Sequence, residues 1–416
     1  MSMLAQLGDR ACWEKFYEYK LSLACPKEFT RELREFIDRE QYLPVCLRIE
    51  RGEPFPLPGK AVISKQSTQK KRTVYIYPEP ENTVLKLLTY LLLRRYDGLF
   101  CPELYSFRPG TGAKDAIRRL IRTPGLRRMY SYKADISNYF NSIPIEKFLP
   151  RLKDALSDDP ALYAFLKRLL EEPEALDGRE RIREQKGIMA GTPLSAFYAN
   201  LYLAPLDRMF HDAGIPYARY SDDIILFAPE RETAEKYAGN IRKYLEEQGL
   251  SINPTKETFG EPADGFTFLG FQVREGEIDI APASVAKLKH KMRRKTRALM
   301  RWAKRNGIDG KRAAAAFIRI FNRKLLENSR DNDLTWSFWF FSVITTAKSL
   351  HEIDLYAQDC LRYLISGRRT KARFNARYAD LKALGYRSLV NSYYSFGSAA
   401  GPGAGSTPSP AAPPPG

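Results

Sequence analysis

Histidine is scarce in this chain, and the cysteines form no pattern. The three histidines, His211, His290 and His351, lie far apart in 416 residues; the five cysteines, Cys12, Cys25, Cys46, Cys101 and Cys360, show no CxxC pair and no regular spacing. A zinc finger needs Cys/His ligands in close pairs, and a Cys/His hydrolase needs a nucleophile with its base, so neither class is supported. Reduced, mostly buried thiols are expected, and a metal site would have to be built from carboxylates. Long apolar runs are also missing. TYLLLRRY (89–96) is cut short by arginines, so no membrane span is expected. The N-terminal stretch MSMLAQLGDRACWEKF lacks the basic-then-apolar layout of a secretory leader, and a soluble, cytoplasmic protein is the expectation. No internal repeat is visible.

Positive charge, by contrast, is abundant. Lys and Arg number 67 against 49 Asp and Glu, a formal net charge of +18. Basicity of that size points to a polyanionic partner, most commonly nucleic acid. The apolar share of 44% and the aromatic share of 12% belong to a folded globular chain, long enough for two or three domain-sized units. The charge is concentrated in AKLKHKMRRKTRALMRWAKR (286–305), which holds ten Lys/Arg and no acid. At about 100° per residue, Leu288, Met292, Leu299 and Trp302 share one narrow face and cations take the rest. One side is expected to dock on protein while the other tracks phosphates.

Periodicity along the chain predicts mixed α+β structure. Residues 1–60 read as short amphipathic helices ending in the proline-rich GEPFPLPGK, followed by the basic loop SKQSTQKK and the strand-like RTVYIYP. A helix is expected over 82–96, a strand running into a helix over SYKADISNYFNSI (131–143), and a glycine-bounded turn leading into an apolar helix over 187–210. YARYSDDIILFA (217–228) reads as two short strands hinged on Ser221, Asp222 and Asp223. A charged amphipathic helix (231–248), the hairpin-like FTFLGFQVREGEIDI (266–280) and further helices from about 283 complete the pattern: an antiparallel sheet with acids at its turns and helices against it. The last twenty residues carry no charge and cannot bury apolar area, so disorder is expected there.

The Asp222–Asp223 doublet raises the chemical question. Two like charges among apolar β-formers cost free energy unless a cation neutralises them. Two-metal phosphoryl transfer needs divalent cations about 4 Å apart, held by carboxylates on rigid backbone. Asp222 and Asp223 can supply one edge of such a site and Asp135, near a strand–helix junction, the other. On the same residues, Asp-Asp is also ordinary hairpin-turn chemistry, and Asp135 could cap a helix ahead of Ser137 and Asn138.

Four segments in one order, KADISNYFNSI, GIMAGTPLSAFYANLYL, YARYSDDIILF and FLGF, resemble the palm motifs of reverse transcriptases. Upstream, RTVYIYP and LYSFRPGTGAKDAI are similar to the fingers motifs of the bacterial branch that includes group II intron and retron enzymes. The resemblance covers roughly residues 60–275. It implies a right-hand polymerase: an N-terminal helical extension (1–59), fingers (60–130), palm (131–280), a basic helical thumb (281–396) and a Gly/Pro/Ala/Ser tail (397–416). The implied activity is RNA-directed DNA synthesis with two Mg²⁺ ions, or Mn²⁺, on deoxynucleotide substrates, giving a DNA product.

Carried across position by position, the resemblance makes Asp135 and Asp222 the metal ligands, with the Ile136 carbonyl as a further oxygen and Asp223 assisting. Phe140, five residues after Asp135, matches a steric gate whose ring collides with a ribose 2′-OH; read alone it is core packing. Lys65 and Arg72 match the fingers cations that grip a triphosphate, although Lys70 and Lys71 crowd the same loop. Lys256 stands where polymerases keep a lysine near the leaving pyrophosphate, and is equally readable as a solvated loop lysine. Phe268, Leu269 and Gly270 would form the primer grip, or a buried strand. Lys287, Lys291, Arg294 and Arg297 would follow the duplex backbone without reading sequence. One departure stands out: Ala190, ahead of Gly191, replaces the family's usual nucleotide-contacting Gln. No Cys/His endonuclease cluster and no RNase H-like constellation is visible. The compact layout with the GIMAGTP and YSDD variants looks most like the stand-alone "unknown group" reverse transcriptases of anti-phage defence, type 2 among them, which implies a dedicated non-coding RNA as template. Template-independent or homopolymer synthesis, a retron-type enzyme and a non-catalytic RNA-binding scaffold are the alternatives.

Overall fold

A computed structural model describes residues 2–23, 25–64, 71–327, 336–368 and 376–399. Lys65 and the tail from residue 400 lie outside the described residues. Eleven strands occur among them: β1 (Gly59–Ser64), β2 (Lys71–Ile76), β3 (Tyr130–Asp135), β4 (Glu174–Asp177), β5 (Glu180–Arg183), β6 (Tyr217–Tyr220), β7 (Asp223–Ala228), β8 (Thr258–Gly260), β9 (Phe266–Phe268), β10 (Phe271–Arg274) and β11 (Glu277–Ile280). With the helices between them they make an α+β fold. It divides into two compact units: Met1–Leu23 with Lys27–Pro262, and a second that takes over from Ala263.

In the first unit the order β6-β7-β3-β8 forms an antiparallel sheet, with Asp135 of β3 opposite Asp223 of β7. β7 is IILFA after its aspartate, a short continuous apolar run, and every one of those five residues is buried. The helix Arg231–Glu247 packs on β3 and β7 through Ala234, Ala238, Ile241 and Leu245, whose 4-3-4 spacing puts them on one face. The four large side chains of β7 contribute about 6–12 kcal/mol of gross burial, an upper estimate that still exceeds the 1–3 kcal/mol of a strained turn residue. Strand burial therefore dictates where the hairpin tip falls. A second sheet has the order β2-β1-β4-β5 and carries Arg72 on β2. Its β4–β5 hairpin, EALDGRERIR, is too short and too charged to show a strand period. The N-terminal helices close around Trp13, stacked on Tyr42 at 4.9 Å, with its indole nitrogen donating to the Leu7 carbonyl at 2.7 Å.

The second unit holds the β9-β10-β11 sheet and the helices Pro282–Arg305, Gly310–Leu325 and Lys348–Ser366, which pack on one another. The face of Pro282–Arg305 that packs is Val285, Met292, Thr296, Leu299 and Ala303. Trp302, expected on that face, is 38% exposed, and Leu288 is half-buried. The inward stripe runs one residue beyond Trp302, because Thr296 and Ala303, small enough for close helix packing, define it. No helix among the described residues is long and apolar enough to cross a membrane.

Candidate active site

The acidic cluster is assembled by strand pairing. β6 and β7 are joined by the two-residue turn Ser221–Asp222, with Tyr220 opposite Asp223 and Ser221 at φ 60°. A positive φ at the turn's first residue matches the right-handed strand twist, which is why two-residue hairpins favour it. The hinge is thus Ser221–Asp222, and Asp223 already belongs to β7. The Ile136 amide donates to the Asp222 carbonyl at 3.1 Å, the Asn253 amide to the Asp135 carbonyl at 2.8 Å, and the Ser137 amide to the Ser251 carbonyl at 2.8 Å. Ile136 also pairs with Ile252 in an isolated antiparallel bridge. Backbone bonds on both sides hold Asp135 and Asp222 in register.

Electrostatics show what the cluster lacks. Burial, and then the neighbouring Asp135 charge, raise the Asp222 carboxyl above its ordinary value. Burial, and then Asp222, push Asp223 up to about 6. Lys133, Lys256 and Arg72 offset only part of this. The direct counter-ion of Asp135 is Lys256, whose Nζ stands 2.5 Å from Oδ2. Among the described residues no three His, Cys, Asp or Glu side chains form a ready-made metal cage. The donors are hard carboxylate oxygens, crowded and under-neutralised, which is the chemistry a divalent cation such as Mg²⁺ fits. Asp135 does not cap the following helix, since the position ahead of Tyr139 is Asn138, with no side-chain cap bond.

Arg72, Phe107, Phe140, Ala190, Gly191, Ser195 and Ala196 line one small cavity of about 10 Å³. Arg72, Phe140, Ala190 and Gly191 are therefore brought together from β2, the short helix Tyr139–Ser142 and the 187–191 turn. Asn141 joins these parts: its Nδ2 donates to the Thr73 carbonyl at 3.1 Å, and its Oδ1 accepts from the Ala190 amide at 2.9 Å. The Tyr75 amide donates to the Ala190 carbonyl at 2.7 Å. Both backbone polar groups of Ala190 are thus engaged within the protein, and its side chain offers a ligand only a methyl. Gly191 (φ +97°) has no room for a Cβ, which would lie 2.9 Å from that of Val74. Phe140 is buried and meets Phe107 edge-on at 6.5 Å. Phe107, Asn141, Ser195 and Ala196 were not singled out from the sequence. All four lie inside the quoted motifs, but nothing in the residue pattern marked them apart from their neighbours.

The remaining expected site residues belong to the second unit. Phe268 and Phe271 are buried and face each other across the two-residue turn Leu269–Gly270, with φ 50° and 87°. The segment is a tight hairpin, and the glycine is required by the turn. Lys287, Lys291, Arg294 and Arg297 are exposed along Pro282–Arg305. Burial, then Lys287, Lys324 and Arg294 in turn, lower the Lys291 pKa. Lys324, from the neighbouring helix Gly310–Leu325, joins a cationic cluster that one-helix periodicity could not reveal.

The fold is of the reverse transcriptase kind. Residues 63–273, half of the chain, match the family described as "Reverse transcriptase (RNA-dependent DNA polymerase)", and the chain belongs to that family. A curated relative, the "Uncharacterized 91 kDa protein in cob intron" of Schizosaccharomyces pombe, is 24% identical over 155 residues, 37% of this chain. The chain spans about a fifth of that protein's length, 19%. Among solved structures, apo telomerase from Candida tropicalis matches at TM-score 0.46 and 13% identity, covering 79% of this chain and 69% of that one. Telomerase from Candida albicans, in complex with a fragment of telomeric RNA, matches at TM-score 0.43 and 13% identity, covering 84% and 64%.

Proposed function

We propose that this chain is an RNA-directed DNA polymerase whose chemistry is carried by Asp135, Asp222 and Asp223. The observation that supports this most is the strand register that sets Asp135 opposite Asp223 at the Ser221–Asp222 turn, within the reverse transcriptase family match. The three carboxylates would hold two divalent cations, Mg²⁺ or Mn²⁺, which when bound activate the primer 3′-hydroxyl and neutralise charge on the leaving pyrophosphate. Arg72 grips the triphosphate through its planar fork of donors. The Phe140 ring excludes a ribose 2′-hydroxyl. Lys256 Nζ supplies positive charge beside Asp135, where it can deliver a proton to the leaving group. In the second unit, the Leu269–Gly270 turn is the primer-grip element and the cations of Pro282–Arg305 contact duplex phosphates.

The test is extension of a labelled primer on RNA and DNA templates, with deoxy- and ribonucleotides offered separately. Deoxynucleotide incorporation on RNA, abolished by chelation, is expected, and Phe140→Ala should admit ribonucleotides. No incorporation on any template, or a preference for ribonucleotides by the unaltered protein, would overturn the reading. A finer reading, supported by the GIMAGTP and YSDD variants, is a bacterial anti-phage enzyme copying a dedicated non-coding RNA. Ala190 favours a second reading, template-independent or homopolymer synthesis at the same site, because the usual Gln contact to the nucleotide is absent. Sequencing RNA and DNA that co-purify from the native host separates the two: product without a complement in the bound RNA would support the second.

A further inference from the structure

Behind the turn that carries Asp222 lies a polar network buried away from solvent. Arg219 and Asp207 are both 0% exposed. Arg219 Nε and Nη2 donate to the two Asp207 oxygens at 2.7 and 2.6 Å, and the Tyr217 hydroxyl donates to Asp207 Oδ1 at 2.9 Å. The remaining guanidinium bonds are directed at backbone: Nη1 to the Ser221 carbonyl and Nη2 to the Asn200 carbonyl, both at 3.2 Å. From the other side, the Ser221 amide donates to Ser106 Oγ at 2.8 Å, and that hydroxyl donates to Asn200 Oδ1 at 3.1 Å. Asn200 Nδ2 returns a bond to the Ser106 carbonyl at 2.8 Å. Both polar backbone groups of Ser221 therefore end on buried side chains.

A buried ion pair is a poor way to gain stability, because desolvation offsets most of its attraction and apolar residues of equal volume often do as well. Here the pair points one bond at the backbone of the acidic turn, the Ser221 carbonyl, and another at the Asn200 carbonyl of the helix Ser195–Tyr202. Ser221 holds a left-handed φ of 60°, which a non-glycine residue keeps only when its surroundings over-determine it. Its carbonyl belongs to the peptide that leads into Asp222. We infer that Arg219, with Asp207 and Ser106, is a positioning group: it fixes the Ser221–Asp222 peptide and so aims the Asp222 carboxylate for cation binding. This rests on the polymerase reading for its catalytic consequence, but not for its effect on cation binding.

Two variants test it. Arg219→Met/Asp207→Asn keeps the volume and the acceptor for Tyr217 while deleting the bonds to Ser221, and Ser106→Ala removes the acceptor for the Ser221 amide. Melting curves, Mn²⁺ binding to the resting protein, and kcat and KM for deoxynucleotide are measured on each, with Asp222→Asn as the reference for lost cation binding. Folded variants should bind Mn²⁺ at least about 10-fold more weakly. Their kcat should drop by about 100-fold, the scale of a misplaced reacting group, and excess Mn²⁺ should recover part of it. KM for nucleotide should stay near that of the unaltered protein, because Arg72 and Phe140 are untouched. A folded variant with unchanged Mn²⁺ affinity and kcat overturns the inference; if the double variant fails to fold, Ser106→Ala decides by the same readouts. Should the unaltered protein bind Mn²⁺ and yet incorporate no nucleotide, the polymerase reading falls, while the Mn²⁺ comparison still decides the role of Arg219.

Discussion

At Asp223 two effects oppose ionisation, burial and the charge of Asp222 next to it. With its pKa pushed up to about 6 from 3.8, the folded protein prefers the protonated acid more than the unfolded chain does. The stability this contributes is complete below about pH 3.8 and is lost as pH rises through 6. Asp223→Asn should therefore stabilise the metal-free protein at pH 7.5, by up to about 3 kcal/mol, with the gain vanishing near pH 4 in thermal melts. A variant no more stable at pH 7.5 than the parent would show that the charge is already neutralised. The acidic residues and Phe140 were legible in the sequence because each sits inside a motif. The Asp135–Lys256 bond and the Arg219–Asp207 pair were not. Arg219 lies in YARY and reads as an ordinary strand residue, and only the tertiary fold reveals that its partner is Asp207, twelve positions earlier.

The elements that shape the cleft depend on close backbone approach. Gly187 adopts φ +54°, and a Cβ there would lie 2.4 Å from the Phe140 carbonyl oxygen, which itself accepts from the Ile188 amide at 2.9 Å. Gly239, within the helix Arg231–Glu247, has nothing within 4 Å of its would-be Cβ. Gly187→Ala should thus destabilise by about 1–3 kcal/mol or more, whereas Gly239→Ala should stabilise by up to about 1 kcal/mol. Denaturant melts of the two variants check this, and equal effects would contradict the packing described. Most helices and strands were legible from periodicity, including β7, whose continuous apolar run signals burial on both faces. The β4–β5 hairpin escaped because strands of four residues rich in charge show no period. Trp302 was misplaced for a related reason: large side chains marked the expected face of its helix, while the packed face is partly built from Thr296 and Ala303.

Across the molecule, the +18 charge has a local counterpart in the second unit, where burial first, and then the charges of Lys287, Lys324 and Arg294, lower the Lys291 pKa. A polyanion beside such a cluster would relieve its mutual repulsion. Replacing Lys287, Lys291, Arg294 and Arg297 by alanine should weaken nucleic-acid binding and flatten its log–log salt dependence by about 0.9 per lost phosphate contact. An unaltered slope would remove these residues from the interface. Composition alone indicated the polyanion, and the helical pattern located the basic face. Lys324 required the packing of two helices, which no single-helix period encodes.

If the clustered acids perform metal-dependent nucleotide addition, removing the Asp222 charge with Asp222→Asn should abolish it. In primer extension on an RNA template with Mg²⁺, the unaltered protein should add deoxynucleotides, while the folded variant should fall to the level of the metal-free control. Extension by the variant at the rate of the unaltered protein would contradict the account.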